Sequence, residues 1–229
     1  NKDLSPLLRD ISHLHSNRPE LDENLFSSFS EIELKVHTQE HQLGLGDAIS
    51  CALNEINGPF LVLLGDNIIT DNHSSSKDYT PSTASKLLVE CYEKNNLPCG
   101  AIMTVGDEEL SNYGVVELDG ELITNVVEKP QLDSAPSNYV LCGRYLFTAD
   151  SKQLLNETYT VEEYGELQSI ELQKHWMNGV GFIGVELEGF SWYDSGNPYS
   201  WLQAQVDHAL QRTDFSEQFS EWLKSRIQD

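Results

Sequence analysis

One stretch decides the fold: Phe60-Leu61-Val62-Leu63-Leu64-Gly65-Asp66-Asn67. An unbroken apolar run of this length is typical of a strand buried on both faces of a parallel sheet. Gly65, Asp66 and Asn67 favour a turn, so the strand ends there. We therefore predict a fully buried strand over Phe60 to Leu64, with the Asp66 carboxylate at its carboxyl end.

Strand and helix patterns alternate on both sides of this stretch. Upstream, we predict a helix over 3–15, a strand over Glu31 to His37 and a helix over Gly44 to Ile56. The polar residues over Asn72 to Ser85 predict an exposed loop. Downstream, we predict strands over 100–105, 115–118, 122–127, 139–147, 181–185 and 192–193, and helices over 86–94, 161–177, 199–212 and 215–227.

This order of elements favours one fold class. Strands that alternate with helices predict an α/β domain with a mainly parallel sheet. Asp119-Gly120, between two predicted strands, predicts a hairpin and therefore a mixed sheet. Ligands of such folds bind beyond the carboxyl ends of the strands, so we expect Asp66 and the segment after Val127 to face one crevice.

The size of the chain fits one domain with a large core. We expect a single domain over 1–229, in which 213–229 is a C-terminal helical tail. No apolar run is long enough to cross a bilayer, and none resembles a signal peptide. Four scattered cysteines show no metal-ligand spacing. We therefore expect a cytoplasmic protein with no membrane partner.

The charge balance excludes one class of partner. The chain has 37 acidic and 14 basic residues, a formal charge of −23. A nucleic-acid binder needs the opposite sign, because Lys and Arg must neutralise phosphates. The acidity indicates either a surface that keeps the protein soluble or an adaptation to high salt, which screens the self-repulsion.

Two carboxylates follow predicted strands and could bind a metal. Asp66 at a strand end suits Mg²⁺, which prefers oxygen ligands and substrate phosphates, although the same residue suits a plain turn. Asp194 follows the aromatic strand at Trp192-Tyr193 and could share that metal. Alternatively, Asp194 belongs to a turn or caps the helix near Pro198.

Two further segments offer groups for a sugar phosphate. Glu128 can accept hydrogen bonds from sugar hydroxyls, and Lys129 is a point charge for phosphate. Alone, these residues are more typical of an exposed ion pair at a strand end. Gly44-Leu45-Gly46 opens a helix and permits close backbone approach, but it lacks the lysine spacing of a phosphate-binding loop.

Taken in order, these segments resemble the glucose-1-phosphate nucleotidylyltransferases over about Ile32 to Arg212. Some of them are similar to the thymidylyltransferase branch and others to the UTP-using branch. The motifs that carry the resemblance are Gln39, Gly44-Leu45-Gly46, Leu64-Gly65-Asp66-Asn67, Tyr113-Gly114-Val115-Val116, Glu128-Lys129-Pro130, Ala135-Pro136-Ser137-Asn138, Gly143-Arg144-Tyr145, Gly165-Glu166-Leu167-Gln168 and Trp192-Tyr193-Asp194-Ser195-Gly196.

The resemblance implies a Rossmann-like three-layer nucleotidyltransferase fold and a reaction between dTTP or UTP and glucose 1-phosphate. It implies three catalytic residues: Asp66 and Asp194 would hold Mg²⁺, and Lys129 would bind the sugar phosphate. Homo-oligomers are common in the family. The remaining substrate-binding residues would be Gln39 and Gly44 at the pyrimidine base, and Tyr113, Gly114, Glu128, Gly143, Tyr145, Glu166 and Trp192 at the sugar.

The sequence departs from the family pattern in two places. It contains no Gly-rich loop after a first strand, the segment that cradles the triphosphate in the family. We therefore expect the natural N-terminus to lie upstream of Asn1, and this chain alone to be inactive. Ser169-Ile170-Glu171 also differs from the usual continuation after Gln168, and Tyr164 stands where a basic residue often precedes the Gly-Glu pair.

These departures leave rival hypotheses open. One is a non-catalytic protein of the same fold with a binding or regulatory role. Another is a metal-dependent glycosyltransferase, which can also place an Asp after an apolar strand; the segments around Glu128 and Asp194 argue against it.

Overall fold

The computed structural model describes residues 33, 35–75, 80–159 and 165–227. These residues form two compact units. The larger unit comprises 43–72 and 82–206, and the smaller one contains the other described residues. The single domain over 1–229 with a tail over 213–229 stays a prediction.

The structure contains eight described strands and six described α-helices. The strands are β1 (Phe60–Leu63), β2 (Asn67–Thr70), β3 (Cys99–Thr104), β4 (Gly114–Asp119), β5 (Leu122–Glu128), β6 (Tyr139–Phe147), β7 (Ile183–Glu186) and β8 (Ser191–Asp194). The helices are α1 (Leu45–Ser50), α2 (Ala84–Asn95), α3 (Ser151–Gln153), α4 (Ile170–Met177), α5 (Pro198–Gln211) and α6 (Ser216–Ile227). Short 3₁₀ turns cover Leu53–Glu55, Asp107–Asn112 and Leu132–Ser134, and a π turn covers Leu154–Thr158.

The main sheet is mixed, as predicted, but it is mostly antiparallel. Its six strands follow the order β1-β6-β3-β7-β5-β4. Among the described strands, β3 and β7 form the one parallel pair, while β6 runs against both β1 and β3. The prediction of a mainly parallel sheet was wrong. β3 and β4 both run against β6, because the chain reverses direction between them at the β4–β5 hairpin and β6 then continues in the direction of β5.

Strand β1 is less buried than its apolar sequence predicts. Leu63 is 51% exposed, and the other three residues of the strand are half-buried. Within the described part of the chain, β1 pairs with β6 alone and lies at one edge of the sheet. The expectation of a fully buried strand is therefore wrong for this part of the molecule.

The two faces of the main sheet carry different helices. Side chains of α2 pack on one face, and side chains of α1 and α4 pack on the other. Successive residues of a strand point to opposite faces, so one strand serves both cores. On β6, Cys142 and Leu146 contact the first core, whereas Tyr145 and Phe147 belong to the second.

Helix α2 forms because its apolar side chains recur at helical spacing, which produces one apolar face. The helix ends at Asn96, whose φ of 52° is left-handed and whose N–H donates to the carbonyl of Tyr92 at 2.7 Å. Pro98 then prevents any continuation. The side chains that α2 packs against the sheet are Ala84, Leu87, Leu88, Cys91 and Tyr92.

Most of the remaining predicted elements are confirmed within a few residues. The strand predicted over 139–147 matches β6, and the hairpin joins β4 to β5 through Gly120, whose φ is 61°. Helix α1 ends at Ser50, earlier than predicted, and α4 begins only at Ile170. Residues 35–37 are not in a strand, and the helix predicted over 3–15 lies outside the described residues.

None of the helices in the described ranges combines the length and the apolar character that a membrane span requires.

Candidate active site

Asp66 lies in a tight turn between β1 and β2. The N–H of Asn67 donates to the carbonyl of Leu64 at 3.2 Å, and the N–H of Leu64 donates to the carbonyl of Gly143 at 3.0 Å. These bonds fix the turn to strand β6 while the Asp66 side chain stays exposed. The turn and the metal-ligand interpretations of Asp66 are therefore compatible.

A two-stranded antiparallel ribbon brings Asp194 to the same place. Strands β2 and β8 pair so that Asn67 lies opposite Asp194 and Ile69 lies opposite Trp192. Just beyond the ribbon, the N–H of Ser195 donates to the backbone carbonyl of Asp66 at 2.8 Å. The two predicted metal ligands, 128 positions apart in the sequence, thus become neighbours through a strand pairing.

The space between the two carboxylates is kept open by Gly196. A Cβ atom at Gly196 would lie 3.2 Å from Asp194 Oδ1 and 3.3 Å from Asp66 Oδ2. Both oxygens therefore border the same small volume. The N–H of Gly196 also donates to Asp194 Oδ1 at 3.1 Å, which orients that carboxylate.

Asn67 connects the parts of the site, although the sequence analysis gave it no role of its own. Its Nδ2 donates to Asp66 Oδ1 at 2.7 Å, and its Oδ1 accepts from the indole N–H of Trp192 at 2.6 Å. The signal was present in the sequence, because Asn67 completes the Leu-Gly-Asp-Asn motif. Its function as a connector depends on Trp192, which is remote in sequence.

Tyr113 extends this group toward the hairpin. Its ring lies 4.8 Å from that of Trp192, measured between centroids. Burial, and then the negative charges of Asp194 and Glu109, raise the pKa of the Tyr113 hydroxyl. Tyr113 therefore stays protonated at neutral pH and can donate a hydrogen bond next to the carboxylates.

Glu128 and Lys129 lie at the end of the hairpin, beside Tyr113 and Gly114. Glu128 pairs with Gly114 across the strands, and the N–H of Lys129 donates to the carbonyl of Tyr113 at 2.9 Å. Lys129 has a left-handed φ of 46°, which is uncommon for a residue other than glycine and concentrates at functional sites. Both side chains are exposed. The hairpin reaches the Asp66 edge because β4 starts beside β6 at Val115.

Two residues predicted to line the sugar pocket, Gly143 and Tyr145, are in contact with other parts of the protein. Gly143 has a φ of 68°, and a Cβ there would lie 2.8 Å from Asn67 Cγ, so glycine provides the space for Asn67. Tyr145 is 7% exposed and packs in the core against Phe147. Burial raises the pKa of the Tyr145 hydroxyl, and the side chain of Gln173 beside it acts in the opposite direction.

Gly44 and Glu166 form a second group. Gly44 has a φ of 96°, and a Cβ there would collide with the Leu167 carbonyl oxygen at 2.2 Å. The N–H of Gly46 donates to that oxygen at 2.8 Å, and Gln168 Nε2 donates to Glu166 Oε1 at 2.6 Å. Gln39 belongs to the smaller unit and is half-buried.

The donors near Asp66 suit a magnesium ion that is completed by other ligands. Among the described residues, no group of three or more His, Cys, Asp or Glu side chains could hold a metal by itself. Magnesium usually binds through one or two carboxylates and takes water and substrate phosphates as its other ligands. The Asp66 and Asp194 pair fits that pattern. In the described structure, the buried Ser195 hydroxyl beside them has no hydrogen-bond partner and is therefore available to a ligand.

Comparison with known proteins assigns the chain to a family. The model of the family described as "Nucleotidyl transferase" matches residues 10–211. The chain belongs to this family. The resemblance inferred from the motifs is thereby confirmed, and the matched range includes every residue assigned to the candidate site.

Among individual relatives, the chain is 30% identical over 206 residues to a UTP–glucose-1-phosphate uridylyltransferase of Streptococcus pyogenes. The match covers 87% of this chain and 66% of the relative, so the chain spans just under two thirds of the relative's length. A second relative of that name, from a serotype M3 strain, is 29% identical over 195 residues and is covered to 62%.

Solved structures of the family share the fold. A UDP-glucose pyrophosphorylase from Acinetobacter baumannii superposes with a TM-score of 0.75 at 20% identity, covering 98% of this chain and 76% of that protein. A UDP-glucose pyrophosphorylase complexed with UDP-glucose gives a TM-score of 0.62 at 28% identity, covering 76% of this chain and 65% of that protein.

Proposed function

We propose that the protein containing this chain is a magnesium-dependent sugar-1-phosphate nucleotidylyltransferase that joins UTP and glucose 1-phosphate. The observation that carries the proposal is the convergence of Asp66 and Asp194 at Gly196, next to Tyr113 and Trp192. Membership of the nucleotidyl transferase family and the names of the relatives support it.

The proposed reaction needs no protein nucleophile. A phosphate oxygen of glucose 1-phosphate attacks the α-phosphorus of UTP, the bond to the β-phosphate breaks, and pyrophosphate leaves. Magnesium, when bound, neutralises part of the phosphate charge. Since two anions react, catalysis consists mainly of positioning and charge stabilisation.

The protein residues have distinct proposed roles. Asp66 and Asp194 hold the magnesium ion, and Asn67 keeps Asp66 in place through its hydrogen bond to Oδ1. Lys129 binds the phosphate of the sugar phosphate with its exposed ammonium group. Glu128 accepts hydrogen bonds from sugar hydroxyls, and Tyr113 donates one from a hydroxyl that stays protonated.

The test is an assay of pyrophosphate release by the full gene product that contains residues 1–229. We expect release that requires glucose 1-phosphate, a pyrimidine nucleoside triphosphate and Mg²⁺, with UTP preferred over dTTP because the relatives named above use UTP. Lys129→Met should raise KM for glucose 1-phosphate by roughly 10–100-fold, since a charge-assisted hydrogen bond contributes about 1.5–3 kcal/mol.

A matched control is Lys86→Met. Lys86 is an exposed lysine on α2 that pairs with Glu90 at 3.5 Å, and it makes none of the contacts described for the candidate site. Its substitution should leave KM unchanged. Failure of the full protein to release pyrophosphate with UTP or dTTP would contradict the proposal. Calorimetric binding of UDP-glucose by such an inactive protein would favour the non-catalytic alternative.

We also propose that the protein forms a homo-oligomer, as the family resemblance implies. Three large apolar side chains on the first half of α5 are exposed, which is typical of an interface: Tyr199 at 71%, Trp201 at 53% and Leu202 at 55%. Light scattering should give a mass above that of one chain, and Trp201→Glu with Leu202→Glu should reduce it to the monomer.

A further inference from the structure

Two cysteines meet at the junction between α2 and β3. Cys91 lies in the last turns of α2, and Cys99 is the first residue of β3. The chain between them turns sharply at Asn96, whose φ of 52° ends the helix. This turn folds the start of β3 back along α2, and it therefore brings two thiols together that belong to different elements.

The two thiols contact each other and have different surroundings. Both pack in the same part of the core, and the S–H of Cys99 donates to the carbonyl of Leu88, which precedes Cys91 on α2, at 3.5 Å. Cys99 is fully buried. Cys91 is half-buried, and its sulfur accepts from Asn95 Nδ2 at 3.6 Å.

Cys91 can be reached from solvent through a cavity. This cavity has a volume of about 510 Å³ and is lined by α2, by β7 and by the tip of the β4–β5 hairpin at Gly120 and Glu121. Cys91 is among its lining residues. The volume is ample for a small oxidant, so the geometry exposes one sulfur of the pair and protects the other.

The contacts also favour the thiolate form of Cys91. The neighbouring thiol of Cys99 is the largest cause that lowers the pKa of the Cys91 thiol, to about 7, and Asn95 and Lys94 act in the same direction. Burial and the charge of Glu121 oppose the shift. The neighbouring thiol of Cys91 and burial raise the pKa of Cys99, which therefore keeps its proton.

We propose that Cys91 and Cys99 form a redox-active thiol pair, in which Cys91 reacts with hydroperoxides and Cys99 resolves the product as a disulfide. The Cys91 thiolate attacks one peroxide oxygen and breaks the O–O bond, which gives a sulfenic acid on Cys91 and releases hydroxide. The Cys99 sulfur then attacks the Cys91 sulfur and displaces the hydroxyl group. The sum is two thiols and one hydrogen peroxide converted to one disulfide and two waters.

The resulting bond would connect α2 covalently to β3. Both elements belong to the larger unit, and neither carries a residue assigned to nucleotidyl transfer. The pair is therefore a modification site that is separate from the proposed activity. Its test does not require an active enzyme.

The experiment treats the reduced 229-residue chain with one equivalent of hydrogen peroxide at pH 7. We expect loss of two of the four thiols and a fragment spectrum that connects Cys91 to Cys99. Trypsin cuts at Lys94 between them, so the product is a pair of linked peptides. Fragment ions must exclude Cys142, which shares a tryptic peptide with Cys99.

Variants separate the proposed roles. Cys91→Ser should abolish disulfide formation, whereas Cys99→Ser should leave a sulfenic acid on Cys91 that dimedone traps. Cys51→Ser is the matched control, because Cys51 is a second half-buried thiol whose sulfur donates to the Asp47 carbonyl at 3.4 Å. Its substitution should leave the disulfide yield unchanged.

A rate measurement tests the activation of Cys91 independently of the disulfide. At pH 7, iodoacetamide should alkylate Cys91 a few-fold faster than Cys51, since the higher thiolate fraction outweighs the lower intrinsic nucleophilicity. Cys99→Ala removes the neighbouring thiol that lowers the pKa of Cys91 and should eliminate this advantage in rate. A disulfide that involves Cys142 or Cys51, oxidation of Cys91 to sulfinic acid without a link, or equal alkylation rates would each overturn the proposal.

Discussion

The β2–β8 ribbon and strand β6 both carry residues that the family motifs assign to the active site, but they treat those residues differently. The ribbon holds Asp66 and Asp194 at an edge, where their oxygens border an open volume beside Gly196. Strand β6 buries Tyr145 in the core, and its Gly143 leaves the space that the Asn67 side chain occupies.

The difference shows that a motif residue can support a site without touching the substrate. Two-stranded ribbons have few neighbours, so their polar side chains remain free to bind ligands. A central strand is covered on both faces, and its side chains are used for packing. We therefore expect substitutions in the ribbon to change activity and substitutions in β6 to change stability first.

The largest expected effect comes from the ribbon. Asp194→Asn keeps the shape of the side chain and can still accept from the N–H of Gly196, but it removes the charge that would hold magnesium. We expect kcat/KM to fall by roughly 10²–10³-fold. The free energy of unfolding, from urea denaturation, should change by less than about 0.5 kcal/mol.

The control for this substitution is Asp133→Asn. Asp133 is an exposed carboxylate in the turn Leu132–Ser134. The substitution Asp133→Asn should change neither kcat/KM nor the urea concentration at the midpoint of unfolding. An Asp194→Asn enzyme with full activity at low magnesium would remove Asp194 from the proposed metal site.

The next-largest effect is expected at Gly143 on β6, which leaves the space that the Asn67 side chain occupies. Gly143→Ala places a Cβ at a φ of 68° and within 2.8 Å of Asn67 Cγ. We expect a loss of about 2–4 kcal/mol of unfolding free energy, because the left-handed backbone and the contact both add cost. Activity should fall as well, since Asn67 bonds Asp66 and Trp192.

Gly120→Ala separates these two costs. Gly120 has a similar φ of 61°, but a Cβ there would meet nothing within 4 Å. It should lose about 1–2 kcal/mol from backbone strain alone and keep its activity. Equal losses of unfolding free energy at both positions would show that the Asn67 side chain can move aside at little cost. That result would contradict our inference that β6 fixes the position of the ribbon.

A smaller effect is expected at the gap between the carboxylates. Gly196→Ala puts a Cβ 3.2 Å from Asp194 Oδ1 and 3.3 Å from Asp66 Oδ2, so the carboxylates must shift by a few tenths of an ångström. We expect the magnesium concentration for half-maximal activity to rise on the order of 10-fold. Gly65→Ala, in the same turn region but with open space around its Cβ, should leave that concentration unchanged.

The smallest effect separates a core tyrosine from a site tyrosine. Tyr145→Phe should cost about 1 kcal/mol of unfolding free energy, because it removes a buried hydroxyl beside the polar side chain of Gln173, and should leave KM for glucose 1-phosphate unchanged. Tyr113→Phe should behave in the opposite way, with KM raised roughly 2–10-fold and stability retained. A raised KM for glucose 1-phosphate in Tyr145→Phe would show that Tyr145 contributes to the sugar pocket.

The sequence predicted the local parts of this molecule well. The apolar run ending in Gly65-Asp66-Asn67 indicated a strand and the turn after it, and Asp119-Gly120 indicated a hairpin. The long strand predicted over 139–147 has the same bounds as β6. These features depend on backbone preferences and side-chain periodicity within a few residues, so they could be predicted without knowing the rest of the chain.

The wrong predictions for the burial of β1 and for a mainly parallel sheet arose because they were made from local sequence alone. The exposure of β1 depends on its neighbours in the sheet, and its amino-acid composition does not specify them. The direction of β6 relative to β3 depends on the single chain reversal at the β4–β5 hairpin. The residues of β6 would suit a parallel or an antiparallel strand equally.

For this protein, then, the sequence by itself determined most of the secondary-structure elements, the acidic character and the motif set that leads to the family. Only the tertiary structure decided which motif residues meet. The pairing of β2 with β8 brings Asp66 to Asp194, and the turn at Asn96 brings Cys91 to Cys99. Contacts between residues far apart in sequence arise from packing and strand pairing, and no local pattern contains that information.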